Sequence, residues 1–381
     1  MAEAPTGDPL EVSFSVAPVI GVLIPAHNEA SVIARRLRNL AREAWPELSH
    51  GREHRVLVVS DHSSDDTLEV ARRTLLELEG SPEPSGDAHG SQAGAVRYSA
   101  LANPRSAGKA QAIAAGLTEL SGVDLVVLTD ADVVQRPGSL AALVEAFGGD
   151  SRLGLACGAQ EFVVDLDAGG RPLAADGGDP KSAAGAYDRV TALVRRIESR
   201  GGRLFSVHGQ LLAWPTELGL LPRPGIAADD LDLMFQVRSR AKRVGLVPGA
   251  RFLEPKLPPG AGKREQELRR ARAYFQVLAN PGDLGELDWL SRVHLAAYGW
   301  LPRVAPELYV LSAMAICVTL SLGFALLLPN PWVGLPIGLG LGWFLLSRGL
   351  PRRLRHLVGV IRGARAEPGA VSGDRWGTVR T

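Results

Sequence analysis

Two short runs rich in β-branched residues, Val19–Pro25 (VIGVLIP) and Val56–Ser60 (VLVVS), each end in turn residues, the pattern of strands buried on both faces of a parallel sheet. Ala30–Leu40 carries apolar residues at helical spacing, and Asp66–Leu78 reads as a helix behind the cap-like cluster Ser63-Ser64-Asp65. Residues 80–94 are turn-rich and lack periodicity, which predicts a surface loop before a strand near Ala95–Ala100. A helix over Gly108–Leu120, a buried strand over Leu125–Thr129 and a helix over Leu140–Phe147 follow. The alternation predicts an α/β domain, a Rossmann-like, mostly parallel sheet flanked by helices. Leu155–Leu166 reads as a strand pair, and the small residues after it as a mobile lid over a ligand. Helices are predicted over Ala186–Arg200 and Leu231–Val244, the second opening directly after Asp229-Asp230.

Toward the C-terminus the pattern changes. Leu308–Leu328 is an uninterrupted apolar stretch close to the ~20 residues that cross a bilayer as a helix, and Trp332–Leu346 is shorter and glycine-rich. Arg303 precedes the first stretch and Arg348, Arg352, Arg353 and Arg355 follow the second, so the positive-inside tendency places both outer ends in the cytoplasm. A transmembrane hairpin satisfies both constraints; a buried core hairpin is the alternative. Just before it, Trp289, Leu290, Val293, Tyr298, Trp300 and Leu301 mix with Arg292 and Arg303 as interfacial helices do.

Composition narrows the function classes. The chain has 381 residues with 42 basic against 41 acidic and a net charge of +1, which gives no electrostatic case for nucleic acid. Cys157 and Cys317 stand far apart without metal-ligand spacing, so neither a disulfide framework nor a zinc site is indicated. The N-terminal residues include acidic groups and no basic or apolar leader region, so the catalytic part is expected to stay in the cytoplasm.

The candidate chemistry lies at predicted strand ends. Leu125–Thr129 runs into Asp130-Ala-Asp132, two carboxylates at the C-terminal edge of a parallel sheet, suited to Mg²⁺ or Mn²⁺ and through it to a diphosphate. Val56–Ser60 runs into Asp61-His62-Ser63-Ser64-Asp65-Asp66-Thr67, where a carboxylate can meet a base or ribose or simply cap a helix. Asn103–Ala110 brings Lys109 to a helix start, suited to phosphate. Together VLIPAHNEA (22–30), VVSDHSSDDT (58–67), NPRSAGKAQAIAAGL (103–117), LTDADV (128–133) and the stretch 226–255 resemble the family 2 inverting glycosyltransferases of GT-A fold.

That resemblance implies Pro25, Ala26 and Glu29 lining the nucleotide pocket, Asp61 on the base, Lys109 and Asp130 on the nucleoside portion, Asp132 on the metal and Asp230 as catalytic base. It also implies an acceptor or diphosphate side around Asp229, His208, Gly209 and Trp214, with Trp214 open to a plain packing role. Two departures stand out. His62 occupies a position that is commonly glycine, and Gln266, Arg269 and Arg270 match a Gln-x-x-Arg-Trp motif only in part. Arg269, Arg270 and Arg272 are suited equally to a diphosphate and to acidic lipid. The expected layout is a flexible 1–17, a glycosyltransferase domain over 18–265, interfacial helices over 266–303, two membrane helices over 304–350 and a basic tail over 351–381. The expected activity is non-processive, hexosyltransferase-type transfer from a nucleotide sugar, a UDP sugar first, to a hydroxyl of a lipid or lipid-linked acceptor. Its setting is the plasma membrane, with the chain multi-pass and the catalytic domain cytoplasmic. Transfer to polyprenyl phosphate and a non-catalytic nucleotide-sugar-binding scaffold are the alternatives.

Overall fold

The structure is a computed structural model that describes residues 16–48, 51–79, 96–167, 169–173, 185–255, 261–285 and 287–348, with Phe14 and Ile361. The described residues divide into two compact units: those up to Pro255 with Asn280–Leu287, and those from Ala261–Ala279 and Asp288 onward. Most of the expected lid, residues 168 and 174–184, and the tail apart from Ile361 lie outside the described residues.

In the first unit β1 (Ile20–Ala26), α1 (Ile33–Ala41), β2 (His54–Ser60), α2 (Thr67–Glu79), β3 (Val96–Ala102), α3 (Lys109–Glu119) and β4 (Leu125–Thr129) alternate as the hydrophobic pattern predicts. β5 (Val134–Gln135), α4 (Ser139–Gly149), β6 (Leu153–Val163), α5 (Ala186–Arg200), β7 (Leu211–Pro215), α6 (Asp229–Arg238) and β8 (Arg243–Pro255) complete it. The sheet order is β3-β2-β1-β4-β7-β6-β8-β5. Its first four strands are parallel, with Ala26 beside Ser60 and Ser60 beside Ala102, so three strand ends and their loops share one edge.

Beyond β4 the sheet is mixed rather than mostly parallel: β7 runs antiparallel to both β4 and β6, and β5 antiparallel to β8. Parallel neighbours need crossover helices, and α1 to α3 supply these only for the first half. The expected strand pair over Leu155–Leu166 is one strand, β6, which stays paired with β8 through an irregularity between Gly158 and Ala159. The helix expected to reach Val244 ends at Arg238. Ala241 turns the chain with φ 56° while Lys242 N donates to Val237 O (3.3 Å), so the later apolar residues join β8 instead.

One face of the sheet packs Ile20, Val22, Ile24, Val56, Val58 and Val127 against Ile33, Leu37 and Leu40 of α1 and Leu140, Leu143 and Phe147 of α4. Arg36 lies on that same apolar face of α1 and is fully buried. Its Nη2 donates to Thr129 Oγ1 (2.8 Å) and its Nη1 to Asn39 Oδ1 (2.7 Å). Burial lowers the guanidinium to about 10, and Glu43, Asp130 and Asp132 oppose that shift. A buried cation is expensive unless compensated. Here the compensation comes first from Glu43 and then from the acidic strand end beyond Thr129. Arg36→Met removes the internal cation and takes the donor away from Thr129 Oγ1, while Asn39 Oδ1 keeps the amide of Gln135 (2.8 Å). A loss of roughly 3 kcal/mol in urea denaturation is expected, within the range for breaking a buried charge network; an unchanged midpoint would count against the compensation.

The second unit is helical. α7 (Ala261–Ala279) packs Phe275 against Ile361, and its Tyr274 hydroxyl donates to Tyr298 O (2.6 Å) of α8 (Trp289–Leu327). α8 is continuous across 303–304, where an interfacial segment and a span were expected to separate. α9 (Pro331–Arg348) returns along it. Among the described residues no helix is long and apolar enough to cross a membrane; the span expected over 308–328 falls within α8, where the side chains at 309, 310 and 313 lie outside the described residues.

The two helices approach along glycines. A Cβ on Gly334 would overlap Phe324 O, one on Gly338 would overlap Leu320 O, and one on Gly342 would come within 2.9 Å of Cys317 Sγ. Small residues at such spacing let helix backbones meet where apolar surroundings provide no drive to associate. Gly342→Cys places a Cβ 3.4 Å from that of Cys317, within disulfide reach. Mild oxidation is expected to give an intramolecular disulfide on mass analysis, and adding Gly338→Leu is expected to abolish it.

Candidate active site

The aligned ends of β1, β2 and β3 tie their loops together by side-chain-to-backbone hydrogen bonds. After β1, the amides of Asn28, Glu29 and Ala30 donate to Ser63 Oγ (3.2 Å), Thr67 Oγ1 (2.8 Å) and Asp65 Oδ2 (3.1 Å) of the loop after β2. Pro25 and Ala26 are buried at the strand end and form floor rather than wall, while Glu29 remains half-buried beside them.

Asp61 is fully buried. Its Oδ1 accepts from Asn103 Nδ2 (2.6 Å) and its Oδ2 from Gly108 N (2.7 Å), so the carboxylate straps the β3–α3 loop to β2. Gly108 has φ 135°, which only glycine adopts without strain, and it opens α3 directly before Lys109. The next residue, His62, is exposed and stands at φ 50°, its Nε2 2.9 Å from Arg105 O. A histidine there bears the strain that a glycine avoids.

Strap and strand end converge at Lys109. Its Nζ lies 3.0 Å from Asp130 Oδ1 and 3.4 Å from Asp229 Oδ2. Burial works against the ammonium, but Asp130 and Asp229 outweigh it and hold the pKa above the usual lysine range. Asp229 and Asp230 open α6, where the helix N-terminus favours negative charge. Asp230 accepts from Leu231 N (2.8 Å) and Gly209 N (3.2 Å). Burial and then Asp229 raise it to about 6, against the pull of Lys109 and those two amides. Asp229 is raised as well, by burial first and Asp130 further, with Lys109 opposing. Asp132 is half-buried one residue beyond Ala131. Among the described residues no group of three or more His, Cys, Asp or Glu side chains is arranged to hold a metal.

The site thus brings together Lys109, Asp130, Asp229, Asp230 and Gly209. His208 contributes through its amide, which donates to Cys157 Sγ (3.2 Å), while its ring meets Phe252 edge-on. Trp214 is buried within β7 opposite Val126, and this corrects its expected acceptor role: no face of the indole is open to a sugar. Gln266, Arg269 and Arg270 belong to α7 in the other unit.

Sequence reasoning missed Arg36, although its place on the Ile33, Leu37, Leu40 face was a visible signal. It also missed Asp232, fully buried and held by Arg223 Nε (2.6 Å), which anchors the loop before α6 and makes the third acidic residue of that helix structural. Asn103, whose amide holds Asp61, carried no separate signal.

Three comparisons bear on this arrangement. Residues 21–173, from β1 to just beyond β6, match the profile of glycosyl transferase family 2. No curated protein matches the chain. Among solved structures, mannosyltransferase PcManGT from Pyrobaculum calidifontis, in complex with GDP-Man and Mn²⁺, aligns with a TM-score of 0.63 at 21% identity, covering 94% of this chain and 91% of that one. Glucosyl-3-phosphoglycerate synthase from Mycobacterium tuberculosis, with Mn²⁺ and UDP-glucose, aligns at 0.43 and 17% identity over 71% of this chain and 81% of that one, too loosely to carry an argument. The likeness to PcManGT shows the fold alone, an α/β fold of GT-A type, whereas the profile falls on the strand ends and loops that carry Asp61, Lys109, Asp130 and Asp132: the chain is a glycosyltransferase, and its residues 21–173 are similar to glycosyl transferase family 2.

Proposed function

We propose that the chain transfers a sugar, with inversion, from a nucleotide-diphosphate sugar to a hydroxyl of a lipid or lipid-linked acceptor at a membrane surface. The observation that carries the reading is the placement of Asp230. A carboxylate raised to about 6 and oriented by two backbone amides stands next to Asp229, which shares the ammonium of Lys109 with Asp130 at the donor strand end. A base with that pKa is ionised at neutral pH yet basic enough to accept a proton as the hydroxyl attacks. The acceptor oxygen bonds to the anomeric carbon, its proton passes to Asp230, and the bond to the diphosphate breaks on the opposite face. Lys109 fixes Asp130 and Asp229 so that Asp230 alone is left to take the proton.

Asp132, with Asp130 beside it, fits Mg²⁺ or Mn²⁺. Both are hard oxygen donors, the kind these cations take. Bound there, the cation would offset charge on the departing diphosphate. A UDP sugar is the first donor to test and a GDP sugar the second, PcManGT having been seen with GDP-Man. The membrane setting is supported by α8, whose Leu311, Val318 and Leu322 recur along one exposed face, a surface suited to lipid.

Thermal-shift measurements with UDP and GDP sugars, with and without Mn²⁺, test the donor side, because ligand raises apparent stability by mass action. A metal-dependent rise with one nucleotide class is expected, and its absence with all of them would sink the donor site. Asp230→Asn is expected to lower kcat about 10²- to 10⁴-fold with donor binding retained. Full activity in that variant would point to an already ionised phosphate acceptor. Since the base must be deprotonated, log kcat/KM is expected to be flat above about 6 and to fall with unit slope as pH drops through that value. A flat acid limb would remove Asp230 from the reaction.

A further inference from the structure

α5 presents an apolar stripe that nothing in the reaction uses. Val190 (61% exposed), Leu193 (56%), Val194 and Ile197 (59%) recur at intervals of three and four residues and so lie on one side of the helix. Arg189, Arg196 and Arg200, all exposed, follow at seven and four residues and form a row along one border of that stripe. None of the three has an ion-pair partner among the described residues. The opposite side is bolted down by Arg195, which is buried and donates to Ser206 O (2.7 Å) and Cys157 Sγ (3.2 Å).

We propose that α5 docks on an anionic lipid bilayer, with its apolar stripe in the acyl boundary and its arginine row on the phosphates. Charge complementarity selects this occupant. The whole chain has a net charge of only +1, so three arginines aligned beside the exposed aliphatic stripe are a local arrangement and not a by-product of a basic protein. An apolar face edged by arginine is the pattern of helices that lie in the membrane interface. The helix ends just before the segment that holds Asp230: Arg195 grips Ser206, and Gly209 donates to the Asp230 carboxylate (3.2 Å). Docking α5 therefore sets the base-bearing side of the catalytic unit against the leaflet that supplies the acceptor. The inference deepens the membrane reading above and rests on it, but it does not depend on the hairpin.

The two cysteines allow a test on the full chain. Cys157 is buried, and Cys317 on α8 is half-buried beside Gly342 of α9. An environment-sensitive fluorophore on native Cys317 reports the hairpin, while Cys317→Ser with Leu193→Cys reports α5 and Cys317→Ser with Leu76→Cys reports α2 as a solvent control. With vesicles of phosphatidylcholine and about one-third phosphatidylglycerol, the α5 label is expected to shift to the blue and be quenched by acyl-chain spin labels, and the α2 label is not. Replacing Arg189, Arg196 and Arg200 with Gln is expected to reduce the docked fraction by about tenfold or more, since each arginine near an anionic surface contributes on the order of a severalfold gain in partitioning. A quenched Cys317 label beside an unquenched α5 label overturns the α5 proposal and leaves the membrane reading standing; neither label quenched overturns both. A blue shift without vesicles that grows with protein concentration means a second copy covers the stripe, and overturns the proposal too.

Discussion

Several carboxylates crowd one edge of this sheet, and a fold that buries them has to neutralise them from within. Lys109 does so from above, between Asp130 and Asp229, and Arg36 from below, through Thr129. Neither cation is placed by its own helix alone. Lys109 is aimed by Gly108, whose amide is held by Asp61, which is steadied in turn by Asn103. The loops after β2 and β3 and the carboxylates that open α6 are thus one structure. Loosening the Asp61 strap would free the ammonium that stands between Asp130 and Asp229.

The same constraint gives the two adjacent acids of α6 different characters. Asp229 faces Lys109 and serves as its counter-ion, whereas Asp230 meets two backbone amides and the field of Asp229, and it is raised to about 6. One residue of separation at a helix start, where successive side chains point in different directions, is enough to give two neighbouring carboxylates different partners. A divalent cation at Asp132 would enter a site where Arg36 already supplies positive charge from behind. Its affinity would then lean on the diphosphate it meets, coupling cation and donor in one binding event.

The strand ends, and with them the positions of Asp61, Lys109, Asp130 and Asp132, were legible because each follows a short apolar run and a turn, and the place of Asp230 because it opens a helix, signals contained in a few neighbouring residues. What each side chain touches was not. Asp61 reads as a base contact, yet both its oxygens are bound to protein groups 42 and 47 residues away. Arg36 reads as one of several polar residues of α1, and its partner Thr129 lies 93 residues on. Trp214 reads equally as stacking platform or core, and the antiparallel pairing of β7 with β4 decides for core. The parallel half of the sheet followed from alternation, but the mixed half did not. Strand direction there depends on connections whose residues carry little periodicity, and the extension of apolar spacing past Arg238 concealed the turn at Ala241.

Residues 206–210 show where donor and acceptor geometry meet. Ser206 O is held by Arg195 of α5, the amide of His208 by the Cys157 thiol of β6, the Asp230 carboxylate by the amide of Gly209, and Gln210 O by Thr129, itself bound by Arg36. Four residues within five positions therefore reach the Asp230 carboxylate, the acidic strand, β6 and the lipid-suited helix, mostly through backbone atoms that no sequence motif records. His208 and Gly209 drew notice as acceptor-side residues, but their contribution is to fix where the base stands. A motion of α5 on a membrane would reach Asp230 through hydrogen bonds of 2.7 to 3.2 Å, without a longer relay. Proton removal and acceptor presentation would then be set by one short segment.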